Sequence, residues 1–177
     1  MPATEYNLKP VQKLTTGAIG PPGKRVFYLQ ARDADQLVTL IIEKQQVQLL
    51  AAKVEEFLAE LDERLPDLPK ASFEYDEEDM ALEQPIDPAF RIGFLGLGYD
   101  DEDDLLVLVA REIETSEGDD NDQISSVARF WCTRSQLLTM CHWGIEVASR
   151  GRPICGNCGE PIDPEGHFCP KSNGHKR

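Results

Sequence analysis

The amino-acid sequence predicts an α+β fold: a mainly antiparallel sheet of about six strands with two packed helices, in the order β-β-β-α-β-β-β-α, followed by a cysteine-rich tail. Three observations predict it. Short apolar runs rich in β-branched and aromatic residues recur in two groups of three, each group bounded by turn residues. A four-three apolar stripe follows the first group, and a stretch with capping-box spacing at its start follows the second. Three of the five cysteines and two of the three histidines crowd into the last two dozen residues.

The elements follow in order. VQKLTTGAIG (11–20) and KRVFYLQAR (24–32) form a hairpin through the GPPGK turn. DAD (33–35) is the next turn, and QLVTLIIEK (36–44) reads as a buried strand. The period then changes. Leu50, Val54, Phe57, Leu58, Leu61 and Leu65 fall on one helical stripe, which Pro66 ends. From Pro66 to Pro88 the chain holds four prolines and the acidic run EYDEED, a long surface connection with room for one short ordered turn. FRIGFLGLG (90–98) and DLLVLVARE (104–112) are strands joined by YDDEDD. TSEGDDNDQ (115–123) is an acidic loop, and ISSVARFWC (124–132) the next strand. TRSQLLTMCHWGIEVASRG (133–151) is the second helix: Thr133 and Gln136 have capping-box spacing, and Gly151 suits the end. Short turns between strands make them antiparallel.

A chain of 177 residues buries roughly two thirds of its unfolded surface, so no disulfide is required to hold it. The odd cysteine count and its lopsided spacing argue against a disulfide framework and for a reduced, cytoplasmic setting. The first residues, MPATEYNLKP, have neither the basic nor the apolar segment of an export signal. The longest apolar runs are far short of the roughly 20 residues that span a bilayer, so no membrane partner is expected. The net charge of −14 is the outlier in composition. From Ser149 onward five basic residues face three acidic ones, a balance of +2, so the preceding 148 residues carry −16. This divides the chain into an acidic body, residues 1–150, and a weakly basic tail, residues 151–177.

The tail reads CGNCGEPIDPEGHFCPKSNGH (155–175). Cys155 and Cys158 lie in C-G-x-C-G, a spacing at which two thiolates converge on one ion while glycines let the backbone turn toward the sulfurs. Cys169 opens the outline of a second such turn, in which Ser172 stands where a fourth cysteine would. The fourth donor is then His175, or His167 as the alternative. Three thiolates and an imidazole make a closed tetrahedral set suited to structural zinc, giving a zinc-knuckle or zinc-ribbon-like tail. Ile154, Ile162 and Phe168 are its few large apolar residues. Such a core does not offset the entropy of ordering the segment, whereas metal binding of about 10–16 kcal/mol does.

GAIGPPGKRVFYLQA near the start, the FWCTRSQL junction and this tail together resemble the bacterial family known as domain of unknown function 3090, over nearly the whole length. The resemblance implies a body with a C-terminal cysteine-rich knuckle and no established activity, and it assigns no catalytic residues.

The remaining motifs take their plain readings. Gly93, Gly96 and Gly98 lie inside a strand that leads to an acidic turn, the setting of a bulge or close packing rather than a phosphate loop. Asp100, Asp101, Glu102, Asp103 and Asp104 lack the alternation and central glycine of a calcium loop and read as a solvated hairpin tip. Cys141 and His142 are adjacent on a helix and diverge by about 100°, so they do not form a nucleophile–base pair. Cys132 and Cys141 read as small buried side chains. Arg129 and Arg134 read as ion-pair partners of the body's carboxylates rather than an anion pocket.

The expected function is that of a non-enzymatic cytosolic binding or adaptor protein, with an unidentified protein partner steered by charge. Two alternatives remain. One is an enzyme with a pocket between the sheet and the 66–88 connection, using acidic residues. The other is weak nucleic-acid binding through the basic tail, which the acidic body opposes.

Overall fold

The computed structural model describes residues 4–21, 23–114 and 125–150. The acidic loop 115–123 and the tail 151–177, with Cys155, Cys158, His167, Cys169 and His175, lie outside the described residues. The body is α+β, a mixed and mostly antiparallel sheet with two helices. Its strands are β1 (Glu5–Leu8), β2 (Lys13–Ile19), β3 (Val26–Arg32), β4 (Leu37–Ile42), β5 (Pro88–Asp100), β6 (Leu105–Glu112) and β7 (Val127–Cys132). The helices are α1 (Lys44–Arg64) and α2 (Arg134–Ser149).

Seven strands stand where six were expected. The added one, β1, is a four-residue EYNL segment too short to show alternation. It pairs in parallel with β7, Leu8 opposite Phe130, so its existence depends on a strand more than a hundred residues away. The sheet order is β1-β7-β6-β5-β4-β3-β2. The β4–β5 pair is also parallel, because α1 and the connection after it carry the chain back to the same end of the sheet.

The sheet curls. β1 and β2 occupy opposite edges, yet only Lys9 to Gln12 separates them in sequence. Seven strands laid flat put those edges about 29 Å apart. Five Cα steps reach at most about 18 Å. The link is stitched at both ends: Val11 N–H donates to the Trp131 carbonyl at 2.8 Å, and Gln12 N–H to the Arg32 carbonyl at 2.7 Å. The curled inner face is the core. One row runs Leu97, Leu108, Phe130, Leu8 across β5, β6, β7 and β1. Another runs Thr16, Leu29, Leu40, Phe90 across β2 to β5.

The helices close this face. α1 buries Val47, Leu50, Val54, Leu58 and Leu61, the predicted stripe begun one turn earlier. The expected strand 36–44 ends at Ile42 because Glu43 takes the N-cap position and its N–H donates to Gln46 Oε1 at 2.8 Å. The Thr133–Gln136 box forms as the spacing predicts: Gln136 N–H donates to Thr133 Oγ1, and Thr133 N–H to Gln136 Oε1, both at 2.9 Å. α2 covers the edge of β2, where Trp143 Nε1–H donates to the Thr16 carbonyl at 2.9 Å. Gly144 sits at the crossing; a β-carbon there would lie 2.9 Å from Val47 Cγ1 and 3.0 Å from Thr16 Cγ2. A side chain would wedge α2 off both α1 and the sheet.

The 66–88 connection is bound to the opposite face of β2 and β3. It contains one 3-10 turn, Glu77–Met80, and Met80 is buried. Three polar side chains stand in a row across the sheet, Thr15, Gln30 and Thr39, all buried. Thr15 Oγ1–H donates to the Met80 carbonyl at 2.6 Å. Gln30 donates from Nε2 to the Glu83 carbonyl at 2.9 Å and to Thr39 Oγ1 at 3.0 Å, and accepts from Glu83 N–H at 2.8 Å. A buried amide thus satisfies backbone groups of a segment that belongs to no strand.

Candidate functional site

An apolar groove lies between α1 and β5. β4 and β5 pair only as far as Ile41 and Arg91, because β4 ends at Ile42 while β5 continues to Asp100. From Ile92 onward β5 keeps β6 on one side. On its other side no described backbone group continues the ladder. A groove of about 420 Å³ occupies that side. Its β5 wall is the unbroken run Gly93 to Leu97. Successive strand residues point to opposite faces, so a groove touching five in a row opens on the strand's edge rather than on one face.

The facing wall is α1. Leu49, Leu50 and Phe57 supply apolar surface, and Gln46, Lys53, Glu56 and Glu60 supply the polar rim. Leu49 is 61% exposed and Phe94, on the β5 side, 54%. Two large apolar side chains exposed at one mouth are more informative than scattered ones. Gln46 Nε2 reaches across to the Ile92 carbonyl at 3.1 Å and ties helix to strand. The register of β5 against β6 shifts between Ile92 and Phe94. Gly93 is required at that bulge: a β-carbon would lie 2.5 Å from Ile113 Cα.

At its far end β5 runs into the acidic hairpin tip. Lys9 Nζ bridges Asp100 at 3.0 Å and Asp103 at 3.2 Å, beside the Trp131 ring. Those contacts raise the Lys9 ammonium above its ordinary range and hold Asp100 below its own. Arg134 pairs with Asp104 at 3.1 Å, and Tyr99 O–H donates to the same carboxylate at 2.9 Å. Asp101 and Glu102 remain exposed. Arg129 pairs with Glu5 at 3.2 Å and donates to Asn7 Oδ1 at 3.1 Å.

A second, broader basin of about 910 Å³ lies between α1 and α2 under the 73–75 segment. There the Phe73 ring stacks on His142 with centroids 3.9 Å apart and planes 7° apart, and His142 Nε2 lies 3.5 Å from Glu55 Oε2. Cys141 is buried beside it, and burial, followed by the Glu55 charge, pushes its thiol up to about 12. Burial, followed by the neighbouring Cys141, does the same to Cys132. Thiols held protonated at neutral pH are not nucleophiles. The Cys141–His142 neighbours diverge, one into the core and one onto Glu55.

The predicted metal donors Cys155, Cys158, Cys169 and His175, and the alternative His167, lie outside the described residues. Among the described residues no group of three or more histidine, cysteine or carboxylate side chains is gathered for a metal ion. No described helix is long and apolar enough to cross a membrane. Sequence reasoning missed the α1–β5 groove. Its one sequence signal is the unequal length of two neighbouring strands, six residues in β4 and thirteen in β5, which shows only once they are known to be neighbours.

Comparison with known families places residues 6–169 on the model described as protein of unknown function (DUF3090). No curated protein and no solved structure matches the chain. The match spans most of the chain, and the chain belongs to that family.

Proposed function

We propose that this family member is a non-enzymatic binding or adaptor protein of the cytosol whose α1–β5 groove receives an apolar segment of a protein partner. The observation that carries the reading is the groove itself. It joins exposed Leu49 and Phe94 to a stretch of strand edge, and a protein that kept this surface in water without use would carry an aggregation risk. The acidic charge of −14 steers basic partners toward it. The cytosolic placement rests on the odd and lopsided cysteine usage.

The same proposal divides the chain into a body, 1–150, and a tail, 151–177, shaped by one structural zinc ion. Cys155, Cys158, Cys169 and His175 are the proposed ligands, with His167 as the alternative to His175. The support is the spacing and the donor chemistry alone. Zinc would supply the cross-link for a segment poor in apolar residues.

The test of the groove is capture of partners from a lysate by the full chain and by Leu49→Glu, at low and at high salt. A specific partner is expected to be retained by the natural chain, lost with the variant, and weakened as salt rises. Equal retention by both chains would remove the groove from the reading. Elemental analysis after chelator-free purification is expected to find about one zinc per chain. A value near zero would refute the metal.

A further inference from the structure

We infer that the groove's occupant is an extended, basic-flanked peptide segment of a different protein, which adds to the open edge of β5 as an extra strand. The inference rests on the groove being a binding site and concerns how it binds.

Three features argue for a strand rather than a helix or a small molecule. The first is the wall of five consecutive β5 residues, Gly93 to Leu97. A helix lying in a groove touches side chains and leaves the floor's backbone unsatisfied. An added strand uses that backbone, because its own N–H and C=O groups continue the ladder. The second is length. The lining run extends about 16 Å at strand rise, enough for five or six partner residues. The third is the facing helix. Leu49, Leu50 and Phe57 of α1 offer apolar contacts to every second residue of the added strand, while the intervening ones face away.

Charge selects the occupant. Glu56 and Glu60 outnumber Lys53 on the groove's rim, and the β5 edge runs on to the tip with exposed Asp101 and Glu102. Lysine or arginine flanking an apolar core fits this frame. A second copy of this chain brings another −14 and is repelled. The same charge explains how the part of β5 beyond Arg91, which has no strand partner on this side among the described residues, is kept from pairing with its own kind.

The experiment selects binders to the full chain from a library of random twelve-residue peptides, then remakes the best as two N-methylated forms, methylated at alternate amides in one register or the other. Selected peptides are expected to carry apolar residues at every second position with flanking lysine or arginine. Leu49→Glu is expected to weaken them at least tenfold. One methylated register, the one facing β5, is expected to lose at least tenfold, and the other to bind nearly unchanged. Peptides with apolar residues at three-four spacing, or equal binding by both methylated forms, would overturn the strand mode while leaving the groove as a site. Peptides indifferent to Leu49→Glu, or no peptides selected, would overturn both. Competition by a synthetic 151–177 peptide, or a dimer in sedimentation that Leu49→Glu dissolves, would assign the edge to the chain itself and overturn the choice of a different protein.

Discussion

Gln30→Leu tests the physical account of the 66–88 connection. The amide is fully buried and near in volume to leucine, so the substitution opens little cavity. It deletes three hydrogen bonds: two with the Glu83 backbone and one with Thr39. Only one partner of each is removed. The Glu83 N–H and C=O are left facing an apolar side chain, at about 1–3 kcal/mol for each group that water does not reach. Part of this is recovered if the connection lifts and hydrates them, at the expense of buried Met80 and of Leu82, whose side chain lies against Gly17 of β2. The expected loss is about 2–4 kcal/mol. For a chain of this size that lowers the melting temperature by about 10 °C. Thr39→Val, which removes one of the three bonds, is expected to lose about 1 kcal/mol. Urea unfolding with intrinsic fluorescence measures the difference, and native-state amide exchange at Glu83 locates it. A loss below about 0.5 kcal/mol in Gln30→Leu, or unchanged protection at Glu83, would show that the buried amide does not hold the connection.

Other perturbations have defined outcomes. Stability falls in acid for a reason that can be signed. Burial pushes the Glu83 carboxyl up, but the hydrogen bonds from Arg32 and Lys13 outweigh it and leave it below its usual range; Arg150 lowers Glu77 and Lys9 lowers Asp100. A lowered folded pKa adds stability above the unfolded carboxylate value and loses it as pH drops through the folded one. Melting temperature is therefore expected to be flat from about pH 7 to 5 and to decline below about pH 4, with a shallower decline in Glu83→Gln. An unchanged slope in that variant would discard the ion-pair account. Iodoacetamide at pH 8 is expected to leave Cys132 and Cys141 unmodified in the native protein and to label both in urea; native labelling within minutes, read by peptide mass spectrometry, would refute their burial. On the proposed zinc site, Cys158→Ser is expected to lower the metal content while the body's cooperative melt persists, and collapse of the whole fold would overturn the proposed boundary at residue 150.

How much of this was legible beforehand differs by element. Both helices and six strands follow from local period and turn residues, because each buries a face that repeats within its own sequence. The capping boxes show the same locality: Thr133 and Gln136 are three residues apart and complete their bonds without help. β1 was not legible, since four residues carry no period and Phe130 and its neighbours supply the pairing. The buried row Thr15, Gln30, Thr39 reads in sequence as ordinary strand polarity. Only the arrival of Met80 and Glu83 over that face turns it inward.

The sequence by itself determined the acidic composition, the alternation of strands and helices, and the crowding of three cysteines and two histidines near the end of the chain. Tertiary structure alone decided that the sheet curls, because a four-residue link must join opposite edges. It also decided that β5 outruns its neighbour. A strand's hydrophobic pattern records which face is buried, but its edges are backbone, identical for every residue but proline. Whether an edge is paired or open is therefore written in no side chain, and the α1–β5 groove emerges only when the strands are set side by side.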